Sequence, residues 1–108
     1  MGKHYLLNLY GCSFENLNSL DFIIESITRA ANLSQATILN TSFHKFEPFG
    51  VTAILLLAES HISIHTWPDE GSAALDIYTC SKIDPKIGCD YLIEKFQPVT
   101  HNLTFINR

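Results

Sequence analysis

The sequence predicts an α+β fold: a two-layer domain with a mostly antiparallel sheet and two helices on one face. Three observations lead there. Short β-prone runs recur along the chain, two segments carry apolar residues at helical spacing, and the order reads β-α-β-β-β-β-α-β. The other face of the sheet is then left to pack against a second sheet or a second subunit.

Residues 4 to 10, His-Tyr-Leu-Leu-Asn-Leu-Tyr, form the first predicted strand, and Gly11-Cys12-Ser13 breaks it. Leu17, Leu20, Ile23, Ile24, Ile27 and Ala31 follow at helical spacing, with Asp21, Glu25 and Arg29 between them. That pattern predicts one amphipathic helix. Residues 37 to 46 alternate loosely and are rich in β-branched and aromatic types. Pro48-Phe49-Gly50 reads as a turn, and residues 51 to 58 form an apolar run short enough for a central strand. Ile62 and Ile64 alternate with Ser63 and His65, so this strand has one polar face. A turn at Pro68-Asp69-Glu70-Gly71 leads into a strand over residues 73 to 79. Asp84 suits a helix N-cap and Pro85 the first helical position. Ile87, Tyr91, Ile93 and Phe96 give this second helix an apolar side, and residues 99 to 106 form the last strand.

The chain of 108 residues has room for one domain. A hydrophobic fraction of 46% supplies a core, yet a domain this small has much surface for its volume, so pairing into a dimer is expected. The net charge of −4, with no cluster of Lys and Arg, argues against nucleic acid as a partner. No apolar run is long enough for a membrane span, and no secretory cleavage pattern opens the chain. The expectation is a cytoplasmic protein with no membrane partner. Cys12, Cys80 and Cys89 are odd in number and widely spaced, which suits neither a disulfide framework nor a paired zinc motif. Cys12 and Cys89 read as buried free thiols.

The chemistry concentrates between residues 59 and 80. Glu59-Ser60-His61-Ile62-Ser63-Ile64-His65-Thr66-Trp67-Pro68 is followed by Asp76-Ile77-Tyr78-Thr79-Cys80. A serine hydrolase is one reading of Ser60 and His61. Adjacent strand residues point to opposite faces, however, and there is no Gly-x-Ser-x-Gly elbow. A zinc site of His61, His65 and Cys80 is another, but the two histidines lie far apart along one strand face. No metal is expected.

Both segments closely resemble the processing and catalytic-cysteine motifs of the small, prokaryotic-type S-adenosylmethionine decarboxylases. Phe43-His44-Lys45-Phe46, Pro48-Phe49-Gly50-Val51, His4 and Tyr10-Gly11-Cys12 are similar to family segments as well, so the likeness covers most of residues 4 to 82. The resemblance implies a proenzyme that cuts itself between Glu59 and Ser60, giving fragments 1–59 and 60–108. Ser60 would become a pyruvoyl group, the covalent cofactor, which forms a Schiff base with the substrate amine and draws off electrons as CO₂ leaves. It further implies that His65 is the acid/base of maturation and Cys80 the proton donor of the mature enzyme. Two cleaved units would pair as a homodimer, with sites near the shared interface.

Phe46 matches a phenylalanine implied in adenine stacking, and Asp69, with Glu70 beside it, matches a carboxylate for the ribose hydroxyls. Five departures bear on the assignment. Thr52 stands where the family usually has a serine that assists processing, so Thr52 reads equally as a processing hydroxyl and as an ordinary strand residue. Asn8 replaces an acidic residue near the implied substrate site. Asp69 is one methylene shorter than the usual glutamate. Ser81 replaces a glycine, and the chain stops at Arg108, short of the family's usual end. The chemistry is therefore expected to be pyruvoyl-dependent decarboxylation, with S-adenosylmethionine as substrate and polyamine synthesis as its outlet. Arginine or ornithine decarboxylation on the same scaffold, or a non-catalytic relative, are the alternatives.

Overall fold

The computed structural model describes residues 1–58, 60–80 and 83–108. Its order is β1 (Lys3–Tyr10), α1 (Phe14–Leu17), α2 (Leu20–Leu33), β2 (Ile38–Lys45), β3 (Val51–Leu57), β4 (Ser60–Trp67), β5 (Ser72–Thr79), α3 (Pro85–Phe96) and β6 (Thr100–Asn107). The strands form one six-stranded sheet in the order β2-β3-β4-β5-β1-β6, and every neighbouring pair is antiparallel. This is the predicted α+β architecture with one correction at its first helix. Ser19 ends the helical run by capping a new one, its hydroxyl accepting from Phe22 N–H, while Ser13 caps the short α1. Leu17 and Leu20 keep helical spacing in sequence although two helices carry them.

The core lies between the sheet and α2 and α3. Ile23, Ile27, Ala30 and Ala31 of α2 are buried against strand residues such as Leu7, Leu9, Leu55, Ile62, Ile64 and Ile77. On α3, Phe96 is buried and Tyr91 and Ile93 pack against the core as expected, but Gly88, Cys89 and Leu92 complete the buried stripe and Ile87 is exposed. At Gly88 a Cβ would meet Ser34 Oγ at 2.8 Å and the Ala30 carbonyl at 3.1 Å, so the bare backbone lets α3 lie close to α2. Asp84 caps α3, its Oδ1 accepting from Lys86 N–H, with Pro85 in the first turn, as the sequence predicts.

The two faces of the sheet differ. In β3 the side facing the helices is buried, whereas Ile54 and Leu56 on the other side are 42% and 51% exposed. The apolar run of β3 is therefore written for two covered faces, and helices cover only one. Among the described residues no helix is long and apolar enough to cross a membrane.

Candidate active site

The site residues fall on or next to β4, and the alternation of that strand sorts them. Ser60, Ile62, Ile64 and Thr66 point toward the helices and are buried; His61, Ser63, His65 and Trp67 point to the open face. Ser60 and His61 thus lie on opposite faces, as the sequence requires, and His61 is no base for Ser60.

At the start of β4, Ser60 stands opposite Thr79 of β5. Ser60 is 7% exposed, and neither its hydroxyl nor that of Thr79 has a hydrogen-bond partner among the described residues. An unpartnered buried hydroxyl is costly, so its persistence at this position is a feature to be explained. Cys80 follows Thr79 directly and is exposed, while Cys12 and Cys89 are buried free thiols, as predicted. Burial pushes the Cys89 thiol up to about 12. The hydroxyl of Tyr78, on the same strand face as Cys80, has its pKa raised first by a hydrogen bond to the Cys80 sulfur. Glu59 and Ser81 lie outside the described residues.

The far end of β4 holds the rest. Thr52 Oγ1 and His65 Nδ1 are hydrogen-bonded at 3.0 Å on the open face, where β3 and β4 pair these two residues in register. Continuing across the sheet, His65 stands opposite Ala74, and Ala74 opposite Asn8. Asn8 therefore shares a row with the Thr52–His65 pair. A cavity of about 420 Å³ opens beside them, lined by Phe46, Phe49, Trp67, Thr52, His65 and Glu47 among others. Asp69 and Glu70 sit exposed in the turn that follows Trp67. Local structure fixes this end firmly. Thr66 Oγ1 accepts from Val51 N–H at 2.9 Å and donates to the Leu17 carbonyl at 2.8 Å, tying β4 to β3 and α1. Gly50, with φ of 114°, turns the chain into β3 in a conformation that side chains other than glycine disfavour.

The structure thus gathers Ser60 with Cys80, and Thr52 with His65, Asn8, Phe46 and the Asp69–Glu70 turn, but it does not bring the two groups together. Ser60 and His65 are five residues apart on one extended strand, roughly 17 Å at about 3.4 Å per residue. Phe49 and Trp67 were not singled out as binding residues from sequence. The signal for Trp67 was present, since it stands two positions after His65 on the same face.

The family model for S-adenosylmethionine decarboxylase matches residues 3–108. The chain belongs to this family. Among S-adenosylmethionine decarboxylase proenzymes, that of Geobacillus kaustophilus is 46% identical over 94 residues, covering 87% of this chain and 76% of its own. That of Moorella thermoacetica is 43% identical over 109 residues, covering 100% and 87%. The crystal structure of the adenosylmethionine decarboxylase of Aquifex aeolicus superposes with a TM-score of 0.93 at 33% identity, covering 100% of this chain and 90% of that one. The shared name favours the S-adenosylmethionine decarboxylase reading over arginine or ornithine decarboxylation.

Proposed function

We propose that the chain is a self-processing, pyruvoyl-dependent decarboxylase of S-adenosylmethionine, and that its working unit is a homodimer whose sites are shared between copies. The observation that carries the first part is the unpartnered, sheltered hydroxyl of Ser60 at the point where the family motif is cut. A hydroxyl with no hydrogen bond to break among the described residues suits attack on the carbonyl carbon of Glu59. The peptide amide becomes an ester. Loss of the Ser60 α-proton then expels the chain ending in Glu59 as a carboxylate. The dehydroalanine tautomerises to an imine, and water releases ammonia to leave the pyruvoyl group at residue 60. When formed, that group supplies a carbonyl electron sink for loss of CO₂.

The chain's own residues do the rest. Cys80, exposed next to Thr79, holds the proton at Sγ that the substrate carbon takes up after CO₂ leaves. Phe46 and Trp67 offer aromatic faces to an adenine and a sulfonium cation, and Asp69 or Glu70 offers oxygens to the ribose hydroxyls. His65, held by Thr52, moves a proton during maturation.

The separation of these groups supports the dimer. His65 stands too far along β4 to serve Ser60 of its own chain. Two sheets stacked by their open faces, with the second copy turned end for end, lay the His65 end of one copy over the Ser60–Cys80 end of the other, on the side of β4 opposite the Ser60 hydroxyl. Such stacking also covers Ile54 and Leu56, which helices leave bare.

Intact-mass spectrometry of freshly purified protein under denaturing conditions tests the reading. Two fragments divided between Glu59 and Ser60 are expected, the second lighter than a serine-started chain by one ammonia. A single uncut chain that releases no CO₂ from S-adenosylmethionine overturns it in favour of a non-catalytic relative.

A further inference from the structure

Three side chains that the decarboxylase reading does not use converge in the middle of the open face. His4 on β1, His61 on β4 and Asp76 on β5 come from strands that lie side by side. His4 and His61 both stand opposite Tyr78, one on each side of β5, and Asp76 is two residues along the strand. Its carboxylate therefore lies between the two imidazoles. The Nε2 atoms of His4 and His61 are 2.7 Å and 2.9 Å from the same oxygen, Oδ2. The ligand atoms of the three residues all lie within 4.8 Å of one another.

The surroundings hold this arrangement in place. Ser63 Oγ donates to the other carboxylate oxygen, Oδ1, and leaves Oδ2 turned toward the imidazoles. The Tyr78 ring, 5.4 Å from the His4 ring and 6.1 Å from that of His61, limits the tilt of both. The side chains of His4, His61 and Asp76 are 15%, 35% and 21% exposed in the single chain, so they are ordered by neighbours, and in a dimer stacked by its open faces they lie at the interface.

Two imidazole nitrogens and one carboxylate oxygen are a donor set for a late first-row divalent cation and a poor one for magnesium or calcium. As the cluster stands, Nε2–H groups donate to Oδ2. A cation takes the place of those protons: each histidine keeps its proton on Nδ1 and presents the Nε2 lone pair along the same line. A tetrahedral zinc centre with bonds near 2.1 Å separates its ligands by about 3.4 Å, so from 2.7 Å and 2.9 Å the carboxylate withdraws by roughly 0.5–0.7 Å, while the imidazoles, which lie within 4.8 Å of each other, adjust to the same spacing. Ser63 then becomes the outer partner that orients the ligating carboxylate.

We infer that His4, His61 and Asp76 form a binding site for a divalent transition metal, with a fourth position left to water, that clamps β1, β4 and β5 together. The inference is independent of the decarboxylase reading. Co²⁺ titrated into chelator-treated full-length protein, followed by visible absorption, tests it, with thermal melts in Zn²⁺ alongside. One equivalent should bind with the absorption of a tetrahedral centre and raise Tm. His4→Gln and His61→Gln should each weaken binding by at least about tenfold, while His101→Gln leaves it unchanged. The glutamine variants can still donate to Asp76, which separates loss of a ligand from loss of the fold. Absence of saturable one-equivalent binding overturns the site, as does binding that survives both glutamine variants. A sulfur-to-cobalt charge-transfer band that disappears in Cys80→Ala also overturns it, because the metal would then sit on the thiol.

Discussion

The two ends of β4 differ in what they hold. At the Ser60 end lie a pair of buried hydroxyls without a partner among the described residues, and an exposed thiol. At the His65 end lie a hydrogen-bonded Thr52–His65 pair, an aromatic-walled cavity and an acidic turn. One end carries the groups whose bonds are expected to change, and the other the groups suited to grip a nucleoside and move protons. An extended strand cannot fold back on itself, so neither end completes the other within one chain. The difference teaches that the unit to test is a pair of chains.

The largest effect is expected from Ser60→Ala. Without the hydroxyl no ester forms, so a single uncut chain and no measurable CO₂ release should result; an active, uncut variant would sink the reading. Cys80→Ala should still be cut, by intact mass, but lose about 100-fold or more in decarboxylation rate, the usual worth of a placed proton donor. Normal turnover in that variant removes the thiol from the mechanism. His65→Ala alone should stay largely uncut. In mixed dimers of Ser60→Ala with His65→Ala, the chain bearing His65→Ala should be cut, because in the proposed dimer an intact His65 of the partner lies over its Ser60 end. If that chain stays whole in the mixed dimer, the shared site is wrong.

The smallest effect is on stability. Burial acts to raise the Asp76 pKa, but hydrogen bonds from Ser63, His61 and His4 outweigh it and hold the carboxyl below its ordinary value of 3.8. A depressed carboxyl contributes stability above its unfolded-state pKa and loses it as pH falls through the folded-state value. Asp76→Asn should therefore cost about 1–3 kcal/mol near neutral pH, and its gap from wild type should close in acid. Denaturant midpoints between pH 7 and pH 3 check this; a gap that widens in acid contradicts the sign.

Much of the fold was legible because strand and helix periodicities are local. The alternation Ile62-Ser63-Ile64-His65 named the buried and open faces of β4, and Asp84-Pro85 named the start of α3. The break at Asn18–Ser19 was hidden, since Leu17 and Leu20 keep helical spacing across it. On α3 only Ile87 was misplaced, because Gly88, which lets α3 lie close to α2, carries no hydrophobic signal. For the candidate site, motif residues were legible one by one. Their division between two ends of a strand follows from counting along β4, but the cluster of His4, His61 and Asp76 does not, because 72 positions separate His4 from Asp76.

The sequence alone determined the family, the residues with chemistry to offer and the face of each strand on which they lie, since motif and alternation are properties of neighbouring positions. Only the tertiary structure decided which of those residues meet. Strand order placed β1 beside β5 and β5 beside β4, and register set His4 and His61 on either side of Tyr78, above one shared carboxylate. Pairings across a sheet are set by the packing of the whole core against its helices, which no local stretch of chain encodes.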